Sequence, residues 1–279
     1  MTRPYDHSVK ARGLTFHFTA WGAADQPPLL CLHGATQTAH SWDEVAPDLS
    51  ASYRVLCLDQ RGHGDSDWAA DGDYTRETQA GDIDAITDAL GLPPFLLIGL
   101  SMGGINAITF TARYPHKVTA LVIVDVSPEI QERGVQSIRT FVQAADELES
   151  VEAFVERAHR FNPRRSLENI RSRLAHNLKQ LPNGKWTWKY DKALRSLEGG
   201  FRGNPLVNLW DDVRKIRCPT LIIKGGESDI LSSESAEKLR ATIPNSRLAV
   251  VAGAGHSVMG DNPAGFVEAV RGFLGGLGA

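Results

Sequence analysis

The sequence predicts an α/β fold, a mostly parallel sheet covered by helices on both faces and interrupted once by a helical insertion. Short apolar runs alternate with amphipathic helical patterns through the first half of the chain, the pattern of strands joined by crossover helices. The alternation stops between residues 127 and 212, where helical spacing continues but no convincing buried strand is read. It resumes at residue 213 and runs to the end. This divides the chain into a core of residues 1–126 and 213–279 and a cap, or lid, of residues 127–212.

Residues 14–21 read as an early strand. Residues 29–32, after Pro27-Pro28, are a continuous apolar strand ending in His33-Gly34, and residues 53–58 are another, ending in Asp59-Gln60-Arg61-Gly62. Ala80, Ile83, Ile86 and Leu90 recur at steps of 3, 3 and 4, one face of a helix over 75–90 that Gly91 and Pro93 stop. Residues 95–98 are a strand, Gly99 opens a tight turn, and 105–114 is a helix ended by Pro115. Residues 120–124 are a β-branched strand. In the cap, Val151, Phe154, Val155 and Ala158 share one helical face, and Leu167, Ile170, Leu174 and Leu178 another. Strands at 220–224 and 248–251 and helices at 233–243 and 263–274 follow, the last with Asn262 as its N-cap.

Composition excludes several classes of function. The 279 residues are 42% hydrophobic and 23% charged, ordinary for a globular chain and wrong for a disordered one. With 30 Lys+Arg against 33 Asp+Glu, the net charge of −3 offers no basic excess for nucleic acid. Cys31, Cys57 and Cys218 are too scattered for a disulfide framework, and without a C-x-x-C pair they read as small buried hydrophobes. Residues 1–12 are polar, with no signal-peptide core, and no apolar run reaches the ~18 residues that span a bilayer. The expectation is a cytoplasmic protein with no membrane segment. Gly99 to Gly104 is not G-x-G-x-x-G, and neither a phosphate-binding G-x-x-x-x-G-K-[ST] nor a zinc-binding H-E-x-x-H occurs.

Chemistry concentrates at Gly99-Leu100-Ser101-Met102-Gly103, a G-x-S-x-G between an apolar strand and a helix. A serine on that sharp turn sits in strained backbone with its oxygen in a cleft, and the flanking glycines remove side chains that would clash. A hydroxyl needs an adjacent base to become a nucleophile. Among nine histidines, His256 alone combines a position after the last strand with a glycine-rich approach, Gly253-Ala254-Gly255. An oxyanion needs two backbone N–H donors. Met102, after the serine, is one, and Ala35, after His33-Gly34, is the other. The His33 side chain is expected to order that loop and take no part in the chemistry.

These blocks resemble the α/β-hydrolase superfamily, serine hydrolases with a helical cap. The resemblance is carried by His33-Gly34 with Trp42 eight residues on, by Asp59-Gln60-Arg61-Gly62-His63-Gly64-Asp65-Ser66, by Gly99 to Gly104 and by Gly255-His256. It covers nearly the whole chain and implies an eight-stranded sheet. The Asp59 to Ser66 block is mainly structural in the family. Relatives that break carbon–halogen bonds carry an aspartate at the elbow, so Ser101 turns the reading from dehalogenase and epoxide hydrolase toward acyl transfer to water.

The acid of the triad has two candidates. Most relatives carry it after the strand that follows the cap, here Asp229. A minority, including small esterases and the amide hydrolases of vitamin B6 breakdown, carry it after the sixth strand, here Asp125; in several of those the later loop reads Gly-Gly-x-Ser with no acid at the matching place. This chain keeps both carboxylates, and the reading leans to Asp125. Either would bind the imidazole N–H of His256 and fix its tautomer.

The expected activity is cofactor-free and metal-free hydrolysis of an ester, thioester, lactone or amide. The alternatives are carbon–carbon bond hydrolysis or perhydrolysis on the same residues, and, in another class, a non-catalytic small-ligand receptor. The expected partner is a small molecule, anionic or partly apolar, with no nucleic acid and no membrane. Cap aromatics Phe141, Phe154, Phe161, Trp186, Trp188, Phe201 and Trp210 are candidate pocket walls, of which Trp186 and Trp210 are singled out. Among the cap's many arginines, Arg164 and Arg165, after a proline break, are the candidates to receive a substrate carboxylate.

Overall fold

The protein is described from a computed structural model, in which residues 4–131, 134, 136, 140, 146–194 and 208–277 are described. In chain order the core opens with β1 (Tyr5–Ala11), β2 (Leu14–Trp21), β3 (Pro28–Leu32), α1 (Ala46–Leu49), β4 (Arg54–Leu58), α2 (Arg76–Ala89), β5 (Phe95–Leu100), α3 (Met102–Arg113) and β6 (Val118–Val124). The cap region contains β7 (Glu147–Leu148), α4 (Val151–Phe161), α5 (Leu167–Asn177), β8 (Leu178–Gln180), β9 (Trp186–Trp188) and α6 (Leu209–Val213). The core closes with β10 (Thr220–Gly225), α7 (Ser233–Thr242), β11 (Ser246–Val251), α8 (Val258–Asp261) and α9 (Pro263–Gly275).

Eight strands form the main sheet in the order β1-β2-β4-β3-β5-β6-β10-β11. Among its described residues, β1–β2 and β2–β4 pair antiparallel and the other neighbours parallel. The central strands are buried on both faces, so their residues divide alternately between two cores. Leu97 of β5 and Leu121 and Ile123 of β6 face one core, shared with Ile105 and Ile108 of α3. Leu96 and Ile98, with Val122 and Val124, face the other, with Trp42 and Phe266. Cys31 and Cys57 are buried free thiols, and Cys218 is half-buried.

Two elements depart from the sequence reading. The polar segment Tyr5–Ala11 is a strand, exposed along most of its length and paired to β2 through a turn at Arg12 and Gly13 with φ of 49° and 80°. An edge strand is held by its backbone ladder and needs no apolar face, so hydropathy does not mark it. The cap region is not purely helical: β7, β9 and β8 form a small antiparallel sheet. Strands of two or three residues are too short to carry a period-2 pattern.

The cap helices form as their sequence dictates. Ser150 and Ser166 cap α4 and α5 by accepting the N–H of Ala153 and Asn169. Their apolar faces bring Phe154, Val155, Ile170 and Leu174 together with Trp188 and Tyr190, and that cluster closes on Ala69 and Tyr74 of the core.

Candidate active site

Ser101 joins β5 to α3 with φ 52° and ψ −117°, a strained conformation for a residue with a side chain. Close packing imposes it. A Cβ on Gly99 would stand 2.3 Å from the Gly103 carbonyl oxygen, and one on Gly103 would stand 2.3 Å from that of Leu32. The glycines therefore let α3 begin immediately after the serine and lie against the end of β3. The helix starts at Met102, three residues before the apolar pattern reveals it.

His256 Nδ1 lies 2.8 Å from Asp125 Oδ2. Asp125 follows β6 directly, is wholly buried and has φ 49°. Its N–H donates to the Ile223 carbonyl at 2.8 Å. Its Oδ1 accepts the Gly225 N–H at 2.9 Å, and its Oδ2 also accepts the Ser228 hydroxyl at 2.5 Å. Three donors thus hold a carboxylate that faces no solvent. The histidine loop reaches it because Gly225 lacks a side chain: a Cβ there would meet the Gly255 carbonyl oxygen at 2.2 Å. Asp229, the other candidate, is half-buried in the loop beyond Ser228. Gly225 and Ser228 belong to the Gly-Gly-x-Ser pattern, whose physical sense emerges here: it supplies two of the three donors to the earlier acid.

The loop after β3 lies against the serine. Gly34 packs on Ser101, with Ala35 half-buried beside it and Met102 buried at the first turn of α3. His33 Nδ1 donates to the Gly34 carbonyl at 2.8 Å while its Nε2 accepts the Gln60 N–H at 3.1 Å. This neutral imidazole orders the loop, and burial pushes its pKa down. His63 does the same one layer out. It donates from Nδ1 to the Arg61 carbonyl and accepts the Thr36 N–H at 3.3 Å, and burial with His33 nearby pushes its pKa down to about 3.

The rest of the Asp59 to Ser66 block is structural. Asp59 accepts the Ala39 and Asp65 N–H groups and binds His17, and its pKa is lowered despite burial. Arg61 forms a buried ion pair with Asp82. A polar chain that sequence reasoning missed runs from the His33 carbonyl to Gln60 Nε2 at 2.7 Å, and from Gln60 Oε1 to Asn106 Nδ2 at 2.7 Å, tying this loop to α3. Gln60 in a loop and Asn106 in α3, 46 residues apart, leave no local signal.

The cap arginines reach the histidine loop. Arg164 pairs with Glu227 at 2.9 Å, both side chains partly exposed. Arg165 Nε binds Asp261 at 2.7 Å and its Nη2 donates to the Ser257 carbonyl, so its guanidinium docks the cap onto the loop carrying His256. Asn177, at the end of α5, accepts the Thr38 hydroxyl at 3.0 Å and donates to the Thr36 carbonyl at 3.4 Å. Trp186 packs in the cap cluster, and Trp210 packs against the core beneath the Lys238 ammonium. Phe154 and Trp188 pack edge to face inside the cap. These four aromatics are engaged in packing because helical and strand spacing directs them to the cores. Phe141, Phe201 and the Phe161 side chain lie outside the described residues.

The order of the strands, the elbow and the histidine–carboxylate pair define a class. The family model for the alpha/beta hydrolase fold matches residues 27–263, and the chain belongs to that family. It is a hydrolase. Among particular proteins it is similar to the esterase Rv0045c of Mycobacterium tuberculosis, 32% identical over 261 residues that span 91% of this chain and 84% of the relative. The crystal structure of that esterase superposes with a TM-score of 0.79 at 29% identity, covering 99% of this chain and 92% of the other. It is also similar to the 2-(acetamidomethylene)succinate hydrolase of Mesorhizobium japonicum, 29% identical over 89% of this chain and 88% of the relative. A crystal structure of E-2-(acetamidomethylene)succinate hydrolase superposes with a TM-score of 0.88 at 25% identity, covering 98% of this chain and 100% of the other.

Proposed function

We propose that the protein is a serine hydrolase that cleaves an ester, thioester, lactone or amide of a small organic molecule through an acyl-enzyme. The observation that carries the reading is the 2.8 Å hydrogen bond between His256 Nδ1 and the buried Asp125, in the same site as a serine held at φ 52°. The carboxylate keeps the Nδ1 proton in place, so Nε2 is the nitrogen left to receive a proton. Ser101 attacks the carbonyl as His256 takes its proton. The Ala35 and Met102 N–H groups receive the oxyanion, and the start of α3 favours the charge that develops there. His256 then protonates the leaving group, and water, activated by the same imidazole, releases the acid. Side chains and backbone supply each of these steps.

The core is residues 1–126 and 213–279 together with α6, whose Leu209 and Trp210 pack against it, and within residues 127–212 the segment 146–194 forms the cap that covers the cleft. The substrate is small, because a docked cap restricts access to the serine. An anionic substrate is supported by Arg164: its guanidinium packs near Gly255, and its partner Glu227 is exposed, so a substrate carboxylate can compete for it. The acetamidomethylene-succinate hydrolase, named for an acidic substrate, points the same way.

A fluorophosphonate probe tests the reading. Intact-protein and peptide mass spectrometry should show one adduct on Ser101, and a panel of p-nitrophenyl esters, including a hemisuccinate, should be hydrolysed by the unlabelled protein and not by Ser101→Ala. Well-folded protein that neither labels nor turns over any ester or amide would favour the receptor reading.

A further inference from the structure

His40, Asp43 and His176 meet across the seam between core and cap. His40 lies in the one-turn helix Ala39–Trp42 that follows the loop after β3, Asp43 comes next in the chain, and His176 is in the last turn of α5. His40 Nδ1 is 2.8 Å from Asp43 Oδ2. The His40 and His176 rings stack with centroids 3.6 Å apart and planes inclined by 19°. One donor atom from each of the three residues lies within 4.8 Å of the other two.

A second observation singles this group out. Among the described residues, Asp43 Oδ1 is buried and has no hydrogen-bond partner. Buried carboxylate oxygens are nearly always satisfied, and one left open on a carboxylate whose other oxygen already binds His40 calls for a further partner. The neighbouring acid does not share that need, because Glu44 is bound by Arg173 at 3.3 Å and by the Asn169 amide at 3.1 Å. The other charged groups whose fields reach His176 are Asp6 and Lys189.

Two imidazole nitrogens and a carboxylate oxygen are the donors preferred by borderline divalent ions; Mg²⁺ and Ca²⁺ prefer oxygen throughout. Metal–ligand bonds of about 2.0–2.2 Å require the donors to stand closer than the present limit of 4.8 Å. The exposed His176 ring can supply that closure by turning out of the stack to point its nitrogen inward.

We propose that His40, Asp43 and His176 form a binding site for a divalent first-row transition ion of the Zn²⁺ or Ni²⁺ kind, which staples α5 to the core. The staple reaches the site described above through one residue. Asn177 follows His176 and holds Thr36 and Thr38 of the loop beside Ser101. An ion in the site therefore restrains the cap where it touches that loop, and turnover falls as the site fills. Binding is independent of the serine-hydrolase reading; the effect on turnover rests on it.

Calorimetric titration with ZnCl₂ tests the site in the wild type, His40→Gln, His176→Gln and Ser101→Ala. The wild type and Ser101→Ala should bind one ion per chain, and each histidine variant should bind about tenfold more weakly or worse. Circular dichroism and thermal unfolding establish that the variants are folded; if His40→Gln is not, the exposed His176→Gln carries the test. Zn²⁺ should slow ester hydrolysis by the wild type, EDTA should restore it, and His176→Gln should keep its rate at the same ZnCl₂. The proposal is overturned by no saturable binding up to millimolar ZnCl₂, or by undiminished binding in His176→Gln. Inhibition that is equal in wild type and His176→Gln overturns the coupling to turnover while leaving the binding result to stand by itself.

Discussion

Changing Asp125 to asparagine alters a single oxygen to an amide nitrogen and leaves the volume unchanged. Three donors converge on the native carboxylate: the Gly225 N–H on Oδ1, and the Ser228 hydroxyl and His256 Nδ1 on Oδ2. If the asparagine keeps its oxygen toward Gly225, its NH₂ faces His256. Nδ1 must then accept, and the ring proton moves to Nε2, the nitrogen that has to deprotonate Ser101. If the amide flips, its NH₂ opposes the Gly225 N–H, and a buried donor loses its acceptor at a cost of about 1–3 kcal/mol. The first orientation avoids that cost, so the protein folds with the wrong tautomer. By analogy with other serine triads, kcat should fall about 10⁴-fold, roughly 5 kcal/mol of transition-state stabilisation. KM should change little, because the carboxylate touches no substrate. The assay is p-nitrophenyl butyrate hydrolysis with purified Asp125→Asn and Asp229→Asn, each checked by thermal unfolding. A kcat for Asp125→Asn within tenfold of wild type, or an equal loss in a well-folded Asp229→Asn, would refute the assignment of the orienting acid.

Two further outcomes follow from backbone strain and buried histidine. Ser101→Ala keeps the strained φ of 52°, whereas Ser101→Gly relieves it, so the glycine variant should be more stable than the alanine variant by about 1 kcal/mol in urea unfolding. The opposite order would show that the elbow is not strained. His63 has its pKa pushed from 6.5 to about 3. Between those values the unfolded chain holds the extra proton, so stability is full above about pH 6.5 and is lost as pH falls toward 3. At pH 5 the loss from His63 alone is about 2 kcal/mol; the lowered pKa of His33 adds to it, the raised pKa of His17 opposes it, and the lowered pKa of Asp59 acts with the same sign only below about pH 4. Urea midpoints that agree at pH 7.5 and pH 5 would contradict this.

Much of the fold is legible along the chain because its signals are local. The apolar runs at Leu29 and Phe95 and the helical face of Ala80, Ile83 and Ile86 each span a few residues, and the structure makes strands and a helix of them. Asn262 caps the last helix as its position suggests. The elbow is readable for the same reason, since its glycines prevent collisions with residues only a few positions away and with the adjacent strand. Tyr5–Ala11 and the cap sheet escape notice because one relies on backbone pairing alone and the other is too short to show a period.

The partner of His256 is a different kind of question. Asp125 and Asp229 both sit on loops after strands of the right kind, and resemblance to relatives only leans the reading to Asp125. Asp125 stands 131 residues from the histidine and 100 from Gly225, and only the parallel register of β6, β10 and β11 places all three at the C-terminal end of the sheet. The same holds for Arg165, whose composition suggests substrate and whose position gives it Asp261, 96 residues away. Sequence by itself determined most of the core strands and helices and the turn that carries Ser101, because periodicity and turn sterics act over a few bonds. Tertiary structure alone decided which carboxylate meets which base and how the cap is tied down, because hydrogen bonds and ion pairs form between whatever groups the packed sheet brings within about 3 Å.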